Sequence, residues 1–288
     1  MAKKKILITG SRGFIASNLI KFLNKKKYAL YLTTSKNIED KNHTYITIKS
    51  KSDFNKISKY NFDYIINLHG SIKFNNFKKI YSDHYIFNKY LIKNINLKML
   101  KKFIHIGTAN EYKSCFKGYD KEIIPENPND YYGKVKLMTS NLIKNFCQEK
   151  RIPFVILRVF HTYGINQREP RLFPYLINCI KHNEIAKVNT KAKKSFVHVE
   201  DICKIINIVL KKKMKNSIYN LSVNKPIELI NVLKYLRQKF NLKYQSNNNE
   251  NNHQYLLRCR INKEIKIRYK SFYEEINKIF LVALNNKV

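Results

Sequence analysis

Tryptophan is absent from this sequence, and glycine and proline are scarce, with seven glycines and six prolines among 288 residues. No internal repeat and no Pro/Ser-rich linker divides the chain. Apolar residues make up 44% of it and aromatic residues 13%, so a sizeable core can be buried and a disordered protein is excluded. The length allows one large domain, or one domain with a smaller lobe.

Acidic residues are also few: 20 Asp and Glu oppose 56 Lys and Arg, which gives a formal net charge of +36. Such a charge by itself suggests a nucleic-acid or membrane partner. However, only nine of the basic residues are Arg, and the Lys are spread from Lys3 to Lys287. Specific nucleic-acid binding typically shows a clustered, Arg-rich stripe. The pattern therefore favours a solvated Lys coat and no nucleic-acid partner, while local basic residues can still serve an anionic substrate.

Cysteine pairs and long apolar runs are missing as well. The five cysteines are far apart and form no CxxC pair, so neither a disulfide framework nor a metal site is indicated, and we expect reduced, buried thiols. Met1–Lys5 is basic, but the apolar run after it is too short for a signal peptide, and no run approaches the ~20 apolar residues of a membrane span. We therefore expect a cytoplasmic protein without a membrane partner. The cysteines are Cys115, Cys147, Cys179, Cys203 and Cys259.

What is present is an alternation of short apolar runs with longer amphipathic ones, up to about position 165. This alternation predicts an α/β fold in which a doubly wound parallel sheet carries helices on both faces. Beyond that point the pattern loosens, and the Asn-rich run 247–252 predicts an exposed loop. The predicted strands are Ile6–Ile8, Tyr28–Leu32, Tyr45–Ile48, Tyr64–Leu68, Lys102–Ile106, Phe154–Val159, Ser195–Val199 and Ile218–Leu221, and the predicted helices are Ile15–Asn24, Tyr85–Leu100 and Tyr131–Gln148.

A glycine pair follows the first predicted strand. Gly10 and Gly13 are three residues apart in the segment Thr9–Ala16, between a strand and a helix. A dinucleotide pyrophosphate needs a tight turn, close backbone approach and a helix N-terminus at this place. Ala16 stands where the usual fingerprint has a third glycine. The alternative is an ordinary strand-to-helix turn, but the N-terminal position after a clean strand favours cofactor binding.

The end of the second predicted strand bears on the type of cofactor. An acid about 20 residues after the glycine turn typically binds the ribose 2′-hydroxyl of NAD. Here Thr34, Ser35 and Lys36 occupy this stretch, and no carboxylate occurs before Glu39. Together with Arg12, these residues favour the 2′-phosphate of NADP(H), although NAD(H) stays possible and Lys36 could be one more surface Lys.

Tyr132 and Lys136 form a Tyr-x-x-x-Lys pair on the predicted helix Tyr131–Gln148. Side chains at this spacing lie on one helix face, and an ammonium group beside a phenol favours phenolate. Tyr132 would thus be a usable acid or base near neutral pH. The spacing alone is weak, because Tyr85 and Lys89 share it; Tyr131, in contrast, has no Lys four residues later.

In their order along the chain, these motifs resemble the extended short-chain dehydrogenase/reductase family, which contains nucleotide-sugar epimerases, reductases and dehydratases. The resemblance covers about positions 4–225 and implies a Rossmann-type NAD(P)-binding domain over 1–165, with returning segments near 195–222, and a mainly substrate-binding lobe over 166–288. The matching segments are Thr9–Ala16, Ile65–Gly70, Phe103–Tyr112, Tyr132–Leu137, Leu157–Gly164 and Phe196–Ile202.

The resemblance also implies roles for individual residues. Thr108, Tyr132 and Lys136 would be catalytic, with the Thr108 hydroxyl holding the substrate oxygen beside Tyr132. His161 replaces the usual Asn of an Arg-x-x-Asn-x-Tyr-Gly segment, and Ser195 replaces a usual Asp. The cofactor would contact Gly10, Ser11, Arg12, Gly13, Phe14, Ile15, Thr34, Ser35, Lys36, Leu68, His69, Gly70, Tyr132, Lys136 and Phe160, and the substrate Ala109, Asn110, His161, Arg171 and Lys194.

Three functions remain open at this point. The first is an NADPH-dependent reductase of a nucleotide-linked keto-sugar, the second an epimerase with retained NAD, and the third an idle nucleotide-binding relative. Dehydratases of the family carry Asp-Glu directly after the Thr, whereas Ala109 and Asn110 occupy those places here. The resemblance further implies a homodimer formed through the helices Tyr85–Leu100 and Tyr131–Gln148.

Overall fold

The computed structural model describes residues 2–23, 25–71, 76–112, 126–247 and 253–285. Cys115 and most of the Asn-rich run 247–252 lie outside these residues. The described residues form two compact units, the first drawn from 1–113, 125–158 and 203–219, and the second from 159–202 and 220–288. The first unit thus takes in residues 203–219 as well as the N-terminal part of the chain. The predicted boundary at 165, the cofactor role of the first unit and the substrate role of the second stay predictions.

A seven-stranded sheet lies mainly in the first unit, and its strands are, in spatial order, Ser217–Leu221 (β11), Phe154–Val159 (β6), Lys102–Thr108 (β5), Tyr64–Asn67 (β4), Lys4–Thr9 (β1), Tyr28–Thr34 (β2) and Thr44–Thr47 (β3). The pairs from β3 to β5 run parallel, and β1 has β2 on one side and β4 on the other. The strands are β1 Lys4–Thr9, β2 Tyr28–Thr34, β3 Thr44–Thr47, β4 Tyr64–Asn67, β5 Lys102–Thr108, β6 Phe154–Val159, β7 His161–Tyr163, β8 Ile185–Val188, β9 Lys193–Lys194, β10 Phe196–His198, β11 Ser217–Leu221, β12 Ile227–Glu228 and β13 Lys243–Ser246.

Helices connect the strands in both units. They are α1 Phe14–Phe22, α2 Asn55–Ser58, α3 Phe77–Tyr81, α4 Phe87–Asn94, α5 Tyr131–Glu149, α6 Leu172–Lys181, α7 Val199–Lys211, α8 Leu229–Phe240, α9 Arg260–Glu264 and α10 Phe272–Asn285. Single turns of 3₁₀ helix cover Ser52–Phe54 and Ala109–Glu111, and a π-helical turn, Ser82–Ile86, joins α3 to α4.

The central strands are buried on both faces, which is why they read as continuous apolar runs in the sequence. In β1, Ile6, Leu7 and Ile8 are all fully buried. Leu7 packs in one cluster with Phe103 of β5 and Ile143 of α5, so the helices close over the sheet. The predicted α/β fold with a doubly wound parallel sheet is confirmed.

One predicted element is wrong in part. The periodicity of Tyr85–Leu100 predicts one helix, but α4 ends at Asn94 and is preceded by the π-helical turn. Ile95 leaves the helix with extended backbone and is buried in the core, and Asn96 accepts the backbone N–H of Lys98 at 3.0 Å in a local turn. This side-chain turn competes with the helix that the apolar spacing favours.

Membrane spans and metal clusters were searched over the described residues only. There, no helix is long and apolar enough to cross a bilayer, and no group of three His, Cys, Asp or Glu could hold a metal ion. The four described cysteines, Cys147, Cys179, Cys203 and Cys259, are buried and are not part of a disulfide.

Candidate active site

The glycine turn lies at the end of β1, where the sheet order reverses between β2 and β4. Gly10 has φ of +66°, and a Cβ at this position would lie 2.9 Å from the Cα of His69. Both the backbone angle and the crowding therefore require glycine. Because open α/β sheets bind ligands in the crevice at such a reversal, this turn is the first element of the site.

Two threonines hold the turn between its neighbouring strands. The Thr9 hydroxyl accepts the backbone N–H groups of Leu68 and His69 at 3.0 and 3.1 Å, which ties β1 to the end of β4. The Gly10 N–H donates to the Thr33 hydroxyl at 3.1 Å, which ties the turn to β2. The three strand ends are thus fixed relative to one another, and Thr33 is a contributor that no sequence motif predicted.

A cavity of about 640 Å³ opens over this turn. The cavity suits a dinucleotide, because α1 begins directly after the lining residue Gly13 and the N-terminus of a helix attracts phosphate. The first turn of α1 carries no acid that would repel a phosphate. Six of the fifteen predicted cofactor residues do not line the cavity: Phe14, Ile15, Lys36, Tyr132, Lys136 and Phe160. Nine of the predicted cofactor residues do: Gly10, Ser11, Arg12, Gly13, Thr34, Ser35, Leu68, His69 and Gly70.

The cations at the β2 end of the cavity differ from those expected. The Thr34 hydroxyl accepts the backbone N–H of Lys36 at 3.1 Å, and Lys36 itself is exposed. Lys49 and Lys51, which follow β3, line the cavity together with Arg12. The one carboxylate among the described lining residues is Asp83, which is paired with Lys79 at 3.1 Å. This end of the cavity is therefore positively charged.

The expected catalytic pair lies on α5. Asp130 caps the helix by accepting the backbone N–H of Gly133 at 2.6 Å, and Tyr132 and Lys136 follow one turn apart. Lys136 is 4% exposed, and its ammonium donates to the carbonyl oxygen of Ile106 in β5 at 2.6 Å. Burial lowers the pKa of Lys136 to about 8, and the charge of Glu111 opposes this shift. Lys136 is thus still mostly protonated, and therefore positively charged, near neutral pH.

Thr108 ends β5 and begins the 3₁₀ turn Ala109–Glu111. Its hydroxyl accepts the backbone N–H of Asn110 at 3.3 Å. The Asn110 amide donates to the α5 cap Asp130 at 3.2 Å, and a Cβ on Gly133 would lie 2.2 Å from the Asn110 carbonyl oxygen. The turn therefore packs directly against the start of α5, which brings the Thr108 segment next to Tyr132.

His84 is a residue of this region that the sequence did not reveal. It lies in the π-helical turn Ser82–Ile86, its ring is 5.5 Å from the Tyr132 ring in an edge-to-face arrangement, and its Nε2 is 2.9 Å from the Ser71 carbonyl oxygen. A Cβ on Gly70 would lie 2.0 Å from the His84 ring. Burial, and then Lys136, lower the pKa of His84 to about 3, so the ring is neutral. π-Helical turns are frequent at functional sites.

Three of the five predicted substrate residues, His161, Arg171 and Lys194, lie in the second unit, whereas Ala109 and Asn110 lie in the first. Burial, and then the charges of Lys194 and Arg171, hold the pKa of His161 well below its ordinary value. Burial also lowers the pKa of Lys194 to about 8. His161 in β7 and Phe196 in β10 lie on paired strands, with ring centroids 5.7 Å apart. Phe160, a predicted cofactor contact, is buried here and donates its backbone N–H to Leu221.

A glycine turn at a sheet reversal, a cavity above it and a Tyr-x-x-x-Lys helix beside a threonine define a dinucleotide-dependent enzyme of the extended short-chain dehydrogenase/reductase class. The sequence profile of the NAD dependent epimerase/dehydratase family matches residues 6–222. The chain belongs to this family of NAD-dependent enzymes, which confirms the resemblance of its motifs.

Individual relatives are distant. The chain is 26% identical to the dTDP-D-glucose 4,6-dehydratase of Dictyostelium discoideum over 266 residues, which cover 80% of this chain but only 61% of that protein. It is 24% identical to the human dTDP-D-glucose 4,6-dehydratase over 258 residues, 82% of this chain and 73% of that one. A UDP-glucuronic acid 4-epimerase from Bacillus cereus, solved with UDP-glucuronic acid and NAD, shares the fold at a TM-score of 0.87 and 18% identity, over 98% of this chain and all of that one.

Proposed function

We propose that this protein reduces a keto group of a nucleotide-linked sugar, with Tyr132 as the proton donor and NADPH as the preferred cofactor. Two observations support the proposal: α5, which carries Tyr132 and Lys136, packs against the Thr108 segment at the end of β5, and the cavity at the glycine turn is lined at its β2 end by cations rather than acids. The family and its nucleotide-sugar relatives support the substrate class.

Each residue has a defined part in this reaction. The glycine turn at Gly10 and Gly13 would hold NADPH, which when bound would supply a hydride for the carbonyl carbon. Tyr132 donates a proton to the carbonyl oxygen as negative charge develops there, and the Thr108 hydroxyl stabilises that oxygen. Lys136, held by the Ile106 carbonyl, favours the phenolate that Tyr132 leaves behind.

An epimerase with tightly retained NAD is the second candidate, because a structural neighbour with this fold is a 4-epimerase bound to NAD. A dehydratase fits less well despite the sequence relatives. Ala109 has no titratable group, and the Asn110 amide bonds to Asp130. The next carboxylate, Glu111, is fully buried and bound to Arg158, so it is not placed to move a proton on a substrate.

The cofactor preference gives a first test. We expect NADPH to bind more tightly than NADH, since Arg12, Lys49 and Lys51 can bind a 2′-phosphate. Lys49→Ala should weaken NADPH about tenfold or more, as expected for one charge-assisted hydrogen bond, and leave NADH nearly unchanged. Dissociation constants measured at one salt concentration decide this, with exposed Lys41→Ala as the control. Lys36→Asp tests whether Lys36 reaches the cofactor. Equal or tighter NADH binding by the unmodified protein contradicts the preference.

The substrate diphosphate gives a second test. We propose that Arg171 and Lys194 bind it, because the charges of both act on the buried His161 and the resemblance assigns both residues to the substrate. Arg can grip phosphate through two hydrogen bonds. Arg171→Ala should raise KM for a nucleotide-sugar far more than it lowers kcat. The control is Lys187→Ala, which removes an exposed cation of β8 that is not a predicted substrate contact. An unchanged KM in Arg171→Ala would mean that Arg171 is a surface residue that does not bind the substrate.

The assembly gives a third test. We propose a homodimer that uses α4 and α5, since α5 carries the apolar side chain of Met138 at 44% exposure. Light scattering at micromolar concentration should give twice the mass of one chain, and Met138→Lys should shift the mass towards one chain. A single-chain mass for the unmodified protein at that concentration is incompatible with this proposal.

A further inference from the structure

A buried ion pair lies behind the end of β5. Glu111 and Arg158 are 0% and 1% exposed, and Glu111 Oε2 accepts the Arg158 Nε–H at 2.7 Å. The second guanidinium edge of Arg158 donates to Glu126 at 2.6 Å, and its plane lies 4.6 Å from the Tyr112 ring centroid. Two carboxylates and one aromatic ring thus hold the guanidinium, which restrains the position of the Glu111 carboxylate.

The other oxygen of this carboxylate faces the site. Glu111 Oε1 accepts the backbone N–H of Thr108 at 2.8 Å. This hydrogen bond spans the 3₁₀ turn and, together with the Thr108 hydroxyl bond to Asn110, forms a reciprocal capping box. The ion pair is therefore linked through a single carboxylate to the residue proposed to hold the substrate oxygen.

The sequence makes room for this arrangement at Gly107. A Cβ on Gly107 would lie 2.6 Å from Glu111 Oε1 and 3.0 Å from the Cγ of Arg158. Residue 107 has no positive φ that would itself demand glycine, so the space it leaves is used by the two charged side chains. Gly107, Glu111 and Arg158 are fitted to one another as a set.

We propose that Glu111, clamped by Arg158, is a positioning residue that fixes the backbone of Thr108 and so aims its hydroxyl at the substrate oxygen. This inference rests on the role of Thr108 in the proposed function. Glu111 touches neither substrate nor cofactor; it acts through one hydrogen bond to Thr108. Misplacement of a group in an active site by about 1 Å can cost about 10²-fold in rate, so this one bond can have a large effect.

Two double variants separate positioning from simple structural support. Glu111→Gln with Arg158→Met removes both charges but keeps an oxygen that can accept the Thr108 N–H. Glu111→Leu with Arg158→Met removes the same charges and that acceptor too. Neither variant leaves an unpaired buried charge, so both should fold, with similar melting temperatures.

Hydrogen exchange of the Thr108 amide, measured by NMR, tests the bond without any substrate. We expect about tenfold faster exchange in the Leu variant than in the Gln variant. With substrate, we expect kcat of the Leu variant about 10²-fold below that of the Gln variant, while KM for NADPH stays the same. Equal exchange of the Thr108 amide in the two variants overturns the inference. Unequal exchange with equal kcat also overturns it, because the hydrogen bond would then not aim the Thr108 hydroxyl.

The two proposals can fail separately. If the unmodified protein reduces no keto-sugar while Thr108 exchange differs as expected, the proposed reductase function is wrong and the backbone restraint stands. The same pair of variants is then compared for epimerase turnover, where Thr108 would hold the same oxygen. If the Gln and Leu double variants have equal turnover in both the reductase and the epimerase assay, the positioning role is rejected.

Discussion

Tyr132→Phe is expected to lower kcat for ketone reduction by about 10²–10⁴-fold, the usual cost of losing a general acid. NADPH should bind as before, because the glycine turn over which its cavity opens is unchanged. The measurement is steady-state turnover with a nucleotide-linked keto-sugar, together with the NADPH dissociation constant.

Tyr131→Phe is the matched control, since it removes the same hydroxyl one residue earlier. Tyr131 is exposed, and its ring contacts Phe77 at 4.8 Å between centroids. Its substitution should be nearly silent. Wild-type turnover in Tyr132→Phe, or damage from Tyr131→Phe instead, means that the catalytic helix has been assigned wrongly.

Arg158→Met alone is expected to lower the free energy of unfolding by about 3–5 kcal/mol, because it leaves the Glu111 carboxylate buried without its partner. Thermal or urea unfolding measures this loss. Arg260→Met provides the comparison: Arg260 faces Glu264 at 3.8 Å, with both side chains partly exposed. Such a pair contributes only about 0–1 kcal/mol. Equal losses from the two substitutions would mean that the buried pair does not stabilise the fold.

The sequence was informative where function imposes a local pattern. Gly10 and Gly13 could be interpreted because a phosphate turn needs glycine at fixed spacing after a strand, and Tyr132 with Lys136 because a helix aligns residues four apart. The continuous apolar strands predicted the parallel sheet for the same reason: burial on both faces leaves no alternation. These features depend on neighbours in the chain.

Features that depend on distant segments could not be predicted. The Glu111–Arg158 pair joins residues 47 positions apart, and nothing local distinguishes it from surface charge. Lys49 and Lys51 line the cavity in place of Lys36 because β3 brings its carboxyl end beside that of β2. His84 contacts Tyr132 from the π-helical turn. The spacing of apolar residues in the sequence does not distinguish such a turn from an α-helix.

The central claim is that hydride moves from NADPH to a sugar carbon while Tyr132 supplies the proton. The most direct test is to incubate the protein with NADPH deuterated at the reactive carbon and a set of nucleotide-linked keto-sugars, and to analyse sugar and cofactor by mass spectrometry. The account predicts one deuterium in the product and one NADP⁺ formed per sugar reduced. Interconversion of sugar epimers with no net consumption of cofactor, by protein that carries tightly bound NAD, would contradict it.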